Sequence, residues 1–380
     1  YFPDFMKPEV REWFGNWYQV LLEQGIDGFW NDMNEPAIFY TEDHLKEVFE
    51  KIHEYENQNL DINTFFEFKA LLDSIALSTD DFKRFYHEVN GKMIRHDKVH
   101  NLYGYNMTRA AGEAFERLVP DRRILMFSRS SFVGMHRYGG VWTGDNRSRW
   151  GHILLNLQQL TGLNMCGFLY CGADVGGFRA DATEDLLLRW TELGMFTPLF
   201  RNHSAKGTRR QEFYRYEHVQ DFRNLVALRY ALIPYLYSEF MKAALENDMN
   251  FIPLAFAYPD DERAVHVEDQ ILVGESIMIA PIYKQNAIGR FVYLPEKMKL
   301  LRFRSADDYD EEILEKGDHF VKADLQEVLV FLRPGHVLPL AEGKLESTDD
   351  IDIEKMKYIT FEAEQEQYQL YWDDGISVIK

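Results

Sequence analysis

Two cysteines in 380 residues leave no disulfide framework to build on. Cys166 and Cys171 stand five apart in what reads as one strand, so their side chains face opposite sides. A bond between them is not expected, and a reducing, cytoplasmic setting is. No apolar run approaches the ~20 residues of a membrane-crossing helix, so no membrane partner is expected. Positive charge is scarce: 42 Lys and Arg stand against 62 Asp and Glu, a net charge of −20. No basic stripe interrupts that balance, which excludes a nucleic-acid partner, since a phosphate backbone needs a cationic footprint. His53, His87 and His96 lack metal-ligand spacing and read as solvated or internally satisfied, so no metal site is expected from them. The glycines are not spaced as a phosphate-binding loop, and no low-complexity run or solenoid repeat occurs.

Aromatic residues, in contrast, make up 15% of the chain. Flat apolar rings suit a sugar site, although a core rich in Phe and Tyr accounts for the same share. The length allows one large domain and a smaller one. One stretch organises the rest: Gly25-Ile-Asp-Gly-Phe-Trp-Asn-Asp-Met-Asn-Glu-Pro, then Ala37-Ile38-Phe39. Its apolar, glycine-punctuated first half reads as a short buried strand that stops abruptly. Asp32 and Glu35 follow that strand, where parallel α/β folds collect catalytic groups. Trp30, Met33 and Phe39 flank them. The same residues also read as a strand end whose Asp and Asn cap the next turn.

Taken in order, Tyr1 to Phe5 reads as a β-like fragment from the middle of a domain, so an N-terminal portion of a longer protein is expected to be missing. Pro8 to Gly25 has helical spacing. Residues 41–96 are polar and helix-prone and read as a helical insertion, with a last helix through Phe82, Phe85 and Tyr86. Strand ends then recur at Arg129, Asp145, Asp174 and His203. Arg129 could donate to sugar hydroxyls or steer a carboxylate, but an arginine at a strand end is more often a structural ion-pair partner. Asp145 reads as a pocket carboxylate or as a turn residue bonding its own backbone. A helix from about Trp150 to Leu160 ends before Gly162. A long helix runs from Glu217 to Glu246, after which short strands dominate. Tyr358 to Ile376 reads as the opening strands of a further β-domain.

The strings Trp30-Asn-Asp-Met-Asn-Glu, His100-Asn-Leu-Tyr-Gly, Trp142-Thr-Gly-Asp-Asn, Gly172-Ala-Asp-Val-Gly-Gly-Phe and Arg201-Asn-His resemble, in order, segments of glycoside hydrolase family 31. That is the retaining α-glucosidase and α-xylosidase family. The stretches Asp269 to Tyr283 and Gly289 to Glu296 resemble the family's β-domain. Lys297 to Asp324 departs from it, being charged and without the usual tryptophans.

The resemblance implies an α/β fold: the C-terminal portion of a (β/α)8 TIM barrel, strands 4–8, followed by all-β, sandwich-like domains. The expected divisions are residues 1–248 for the barrel portion with its insertion at 41–96, 249–336 for a proximal β-domain, and 337–380 for the start of a distal one. Five strands do not close a barrel, so the missing N-terminal portion of the same protein is an implied partner.

The resemblance makes Asp32 the nucleophile and Asp145 the acid/base of a double displacement on α-linked gluco-oligosaccharides or disaccharides. It makes Met33, Phe39, Arg129, Trp142, Asp174, Phe178 and His203 substrate-binding residues, with Trp30 and Glu35 in support. An α-xylosidase or α-transglucosidase carries the same motifs. A non-catalytic sugar-binding subunit is expected to have lost Asp32 or Asp145, and both are present.

Overall fold

The computed structural model describes residues 2–37 and 39–378. Tyr1, the first residue of the expected β-like start, lies outside them. The chain divides into two units, residues 2–141 with 375–378, and residues 142–374.

In the first unit, Pro8 opens the helix Pro8–Asn16, and a second short helix, Tyr18–Leu22, continues it. Gly25 takes a φ of 83°, which reverses the chain with no Cβ to clash, and the strand Gly28–Asn31 follows. That strand pairs in parallel with Leu125–Ser128, with Trp30 opposite Phe127 and Asn31 opposite Ser128. Leu125–Ser128 pairs in turn with the strand that starts at Gly140, again in parallel. The helix Asn101–Leu118 makes the crossover. It buries Ala111 and Phe115 on Leu22 and Met126, with Tyr18 and Phe29 packed alongside. Gly15 lets the first helix lie against it, because a Cβ there would stand 2.5 Å from the Ala110 carbonyl oxygen.

The insertion holds the helices Glu42–His53 and Ile62–Leu77, started by Thr41 and Asp61, whose side chains accept from backbone amides of the first turn. Its end corrects the expected third helix. A single turn, Asp81–Lys83, leads into a hairpin of Tyr86–Val89 and Lys92–Arg95. Asn90 and Gly91 both have positive φ, 51° and 74°, as a tight two-residue hairpin turn requires.

The second unit carries the helices Gly151–Met165 and Glu184–Gly194 and the parallel pair Asp174–Val175 with Arg201–Asn202. Gly162 does not stop the first of these helices; its Cβ position has no atom within 4 Å, and an exposed helical glycine is tolerated. The helix therefore reaches Met165, which puts exposed Cys166 at its C-cap and buried Cys171 in a separate strand, Cys171–Gly172. The two thiols are free and do not share a strand.

The helix Val219–Glu246 leads to a six-stranded antiparallel sheet. Its order is Tyr309–Leu314, Met298–Phe303, Val328–Leu332, Ile277–Ile279, Ile271–Val273, Phe251–Pro253. Leu272, Met278, Leu300 and Phe331 bury one face of it against Val292, Leu294 and Val321. The divergent stretch after Lys297 thus forms ordinary sheet. Met356–Phe361 pairs with His336–Ala341, and among the described residues no strand follows Phe361. Tyr368 and Tyr371 are pinned to the long helix instead: Tyr368 Oη donates to Glu239 at 2.7 Å and Tyr371 N to Ser238 Oγ at 2.9 Å. No helix among the described residues is long and apolar enough to cross a membrane.

Candidate active site

Two groups of the singled-out residues take shape, one in each unit. In the first, the parallel register carries Gly28–Asn31 up to Asp32 and leaves the Asp32 side chain about half exposed. Asp32 Oδ1 accepts from the Met33 amide at 2.8 Å and lies 3.1 Å from an Arg129 guanidinium nitrogen. Arg129 is itself gripped by Glu35, Nε donating to Oε1 at 2.7 Å and Nη2 to Oε2 at 2.9 Å. A forked pair of this kind fixes the guanidinium plane, so its third nitrogen meets Asp32 in one orientation. Arg129 thus meets the ion-pair reading, with Asp32 and Glu35 as its partners.

Asn34, buried, ties the same segment to the next strand: its amide donates to Ser128 Oγ at 2.9 Å, and its oxygen accepts from the Ser130 amide at 3.0 Å. Met33 holds a φ of 54° and is exposed, a backbone state that persists only where neighbours enforce it. Gly104 explains the His100-Asn-Leu-Tyr-Gly string. A Cβ there would meet Ser130 at 2.6 Å and the Asn34 carbonyl at 2.8 Å, so only glycine lets that helix seat the Asp32 segment. Trp30 packs its ring 4.9 Å from Phe127 beneath the site. Phe39 departs from expectation. It is 1% exposed and packs on Phe85 and His96, so it faces the insertion rather than an open subsite.

In the second unit, Asp145 has a φ of 58° and its Oδ2 accepts from Arg179 Nη2 at 2.9 Å. Gly144 permits that turn, since a Cβ would fall on the Trp142 ring at 1.9 Å. Asn146 binds the neighbouring loop to it: its amide donates to the Asp174 carbonyl at 3.0 Å, and its side-chain oxygen accepts from the Phe178 amide at 3.1 Å. The Phe178 ring stacks on His203, centroids 5.1 Å apart.

Asp174 is fully buried, with Oδ1 accepting from Trp142 Nε1 at 3.0 Å and from Arg201 Nη2 at 2.7 Å. Its Oδ2 is buried with no partner. An orphaned carboxylate oxygen is costly unless something else donates to it. Burial pushes the Asp174 carboxyl up, while Arg201, His203 and Trp142 pull it down. Arg179, Arg201 and Gln211 were not singled out from the sequence. Gln211, buried, donates to the His203 carbonyl at 3.1 Å and helps place that residue. Among the described residues no three His, Cys, Asp or Glu side chains gather as a metal ion requires.

The Asp174 contacts give a pH-dependent expectation for Arg201→Met. The folded-state carboxyl sits above its unfolded value of about 3.9, so above that pH the unfolded chain releases a proton the folded chain keeps. Stability is lost as pH rises from there toward the folded value, and removing Arg201 deepens that loss. Urea unfolding at pH 7 is expected to show about 3–5 kcal/mol of destabilisation, shrinking at pH 4. Equal losses at both pH values would show that Arg201 does not act through Asp174.

Parallel strands alternating with helices, with carboxylates, a guanidinium and an imidazole at or just past strand termini, followed in the chain by an antiparallel β-module, define a β/α-barrel class of protein. The family model described as the glycosyl hydrolases family 31 TIM-barrel domain matches residues 1–239, and that of the family's C-terminal domain matches residues 248–338. The chain belongs to glycosyl hydrolase family 31. An α-glucosidase 2 of Bacillus thermoamyloliquefaciens is 34% identical over 381 residues, 98% of this chain and 43% of that protein. The lysosomal α-glucosidase of Mus musculus is 31% identical over 401 residues, 99% of this chain and 40% of its own length. This chain therefore spans less than half of these relatives. A dextranase of Flavobacterium johnsoniae, solved with glucose, superposes with a TM-score of 0.76 at 25% identity, over 98% of this chain and 42% of that one. An α-xylosidase of Xanthomonas citri shares the fold at a TM-score of 0.74 and 22% identity, over 98% and 38%.

Proposed function

We propose that this chain supplies both catalytic aspartates of a retaining α-glucosidase, acting on terminal α-linked glucose of oligosaccharides or disaccharides. One observation carries the reading: Asp32 stands half exposed at the end of a parallel strand, oriented by an arginine that Glu35 holds in place. A nucleophilic carboxylate needs that combination of access and fixed direction.

Asp32 attacks the anomeric carbon and forms a glucosyl ester. Asp145 first protonates the leaving oxygen, then takes a proton from the water that releases the sugar. Asp145 pairs with Arg179, whose side chain is more than half exposed, so the pair can part to free the carboxyl for proton transfer. The Oδ2 of Asp174 lacks a donor but is buried, so a sugar hydroxyl reaches it only when the Trp142 and Arg201 side chains on that carboxylate shift, with Phe178 and His203 stacked beside them. Arg129 and Glu35 set the direction of Asp32, and Met33 lies exposed next to it.

The test is turnover of maltose, isomaltose and 4-nitrophenyl α-xyloside by the full-length protein, with the first-formed product anomer read by proton NMR. The expected result is α-glucose appearing first. β-Glucose first would refute retention, and turnover of the xyloside alone would replace glucosidase by xylosidase.

A further inference from the structure

The insertion hairpin and the segment that carries Asp32 meet on a row of three imidazoles in the first unit. His87 Nδ1 lies 2.6 Å from Asp4 Oδ1, His87 Nε2 lies 2.9 Å from His96 Nδ1, and His96 Nε2 lies 2.9 Å from His100 Nδ1. His96 is fully buried and His87 nearly so. The other oxygen of Asp4 accepts from the Glu88 amide at 3.0 Å, which fixes the hairpin strand to the same carboxylate.

Proton directions follow from Asp4. A carboxylate only accepts, so His87 Nδ1 bears a proton. With neutral rings, His87 Nε2 then accepts from His96 Nδ1, and His96 Nε2 accepts from His100 Nδ1. The row also takes one extra proton without losing a bond: His87 becomes a cation against Asp4, and His96 and His100 each donate from Nε2 instead. A second extra proton has no such solution. Two N–H groups must then face each other across 2.9 Å, and the row opens.

The row holds Phe39, whose ring lies 4.5 Å from that of His96 and 4.1 Å from that of Phe85. Phe82 stacks on His100 at 4.4 Å. Phe39 closes the segment that begins at Asp32, so strand, Asn34 and ring stack together fix that segment. We infer that the Asp4–His87–His96–His100 row positions Asp32 through Phe39, and that its opening sets the acid limit of activity. The inference rests on the reading of Asp32 as nucleophile. These are positioning residues, which act on the nucleophile's segment and do not touch substrate.

Other groups face the row. Asp4 lies on the N-terminal segment, and Asp97 on the turn after the hairpin, forked to Arg95 at 2.9 and 2.8 Å. Glu35 lies on the Asp32 segment, Tyr103 on the helix behind, and Lys7 reaches the hairpin at Glu88. Burial pushes His96 down to about 4, with charge on His100 and His87 adding to the push and Asp97 opposing it. Burial lowers His100 as well, and Glu35 opposes. A folded value below the ordinary 6.5 means that the open hairpin takes a proton the docked one refuses. The docked state therefore loses population as pH falls from roughly 6.5 toward 4, by up to about tenfold per pH unit for each proton that the open hairpin takes and the docked row refuses.

The test compares wild type, His96→Gln and His96→Ala in the full-length protein. A glutamine amide donates to His87 and accepts from His100, and it does not titrate. Hairpin opening is read as cleavage after Glu88 by a glutamate-specific protease, normalised to a free peptide of residues 84–95. In wild type, cleavage is expected to rise about tenfold or more from pH 7 to 5, while kcat falls and KM stays nearly constant. His96→Gln is expected to flatten both responses and to keep near-normal kcat at pH 7. His96→Ala is expected to be open already at pH 7, with kcat reduced and KM unchanged. Cleavage independent of pH in wild type, or an acid limb in His96→Gln that matches wild type, overturns the inference. Gated cleavage in a protein that turns over no glucoside upholds the row and overturns the catalytic reading of Asp32.

Discussion

Asp32→Asn is expected to lower kcat on every α-glucoside by about 10⁴-fold or more, because no second group can form the glucosyl ester. The amide is nearly isosteric with the carboxylate, and its oxygen still accepts from the Met33 amide and faces Arg129. Arg129 keeps its position, since Glu35 holds it through two nitrogens independently of Asp32. The side chain is about half exposed, so little stability rests on it and the unfolding free energy is expected to stay within about 0.5 kcal/mol of wild type. Substrate affinity measured calorimetrically is expected to change far less than kcat. Unlike the wild type, the variant should also yield no burst and no trapped glucosyl adduct with a slow fluorinated substrate. A loss under about tenfold, or an adduct on another carboxylate, would remove Asp32 from the nucleophile's role.

What the sequence showed and what it hid divide along one physical line. Strand ends were legible because a buried apolar run must stop at a turn, and the polar residue at the stop is visible: Asp32 after Gly28–Asn31 and Arg129 after Leu125–Ser128, whereas Asp174, expected at a strand end, begins a short strand of its own. Side-chain direction beyond the stop was not legible. Phe39, expected as a pocket wall, is core instead, because the insertion covers it. Arg179 and Arg201 adjoin residues that were singled out, yet nothing in their spacing says which carboxylate each meets.

The imidazole row was hidden for a related reason. His87 and His96 come together only because the hairpin pairs His87 with Ile94, and the polar, helix-prone composition of residues 41–96 masks the tight turn that Asn90-Gly91 announces. His96 and His100 lie four apart, which on one regular helix would suggest a ligand pair. The chain there passes through a short turn before the helix starts at Asn101, and the rings bond to each other.

Asp145→Ala separates the two chemical steps. Removing the acid leaves the nucleophile intact, so the penalty should depend on how much help the leaving group needs. On maltose, kcat/KM is expected to fall about 10³-fold, within the range that a positioned acid/base contributes. On glucosyl fluoride or a nitrophenyl glucoside, which leave without a proton, formation of the ester should largely survive and its hydrolysis become limiting. Azide needs no base and should restore turnover, and two inversions make the product the α-glucosyl azide. The fold should tolerate the change: Asp145 and Arg179 are a largely exposed pair, and such pairs contribute at most about 1 kcal/mol. The positive φ of Asp145 is a small further cost for alanine. Equal losses on activated and unactivated substrates, with no azide adduct, would take the acid/base role from Asp145. Asp174 would then be next in line, a fully buried carboxyl pushed up by its surroundings, with one oxygen lacking a donor. The same substrate series on Asp174→Ala decides between them, since loss of a binding residue lowers all substrates alike and loss of the acid spares the fluoride.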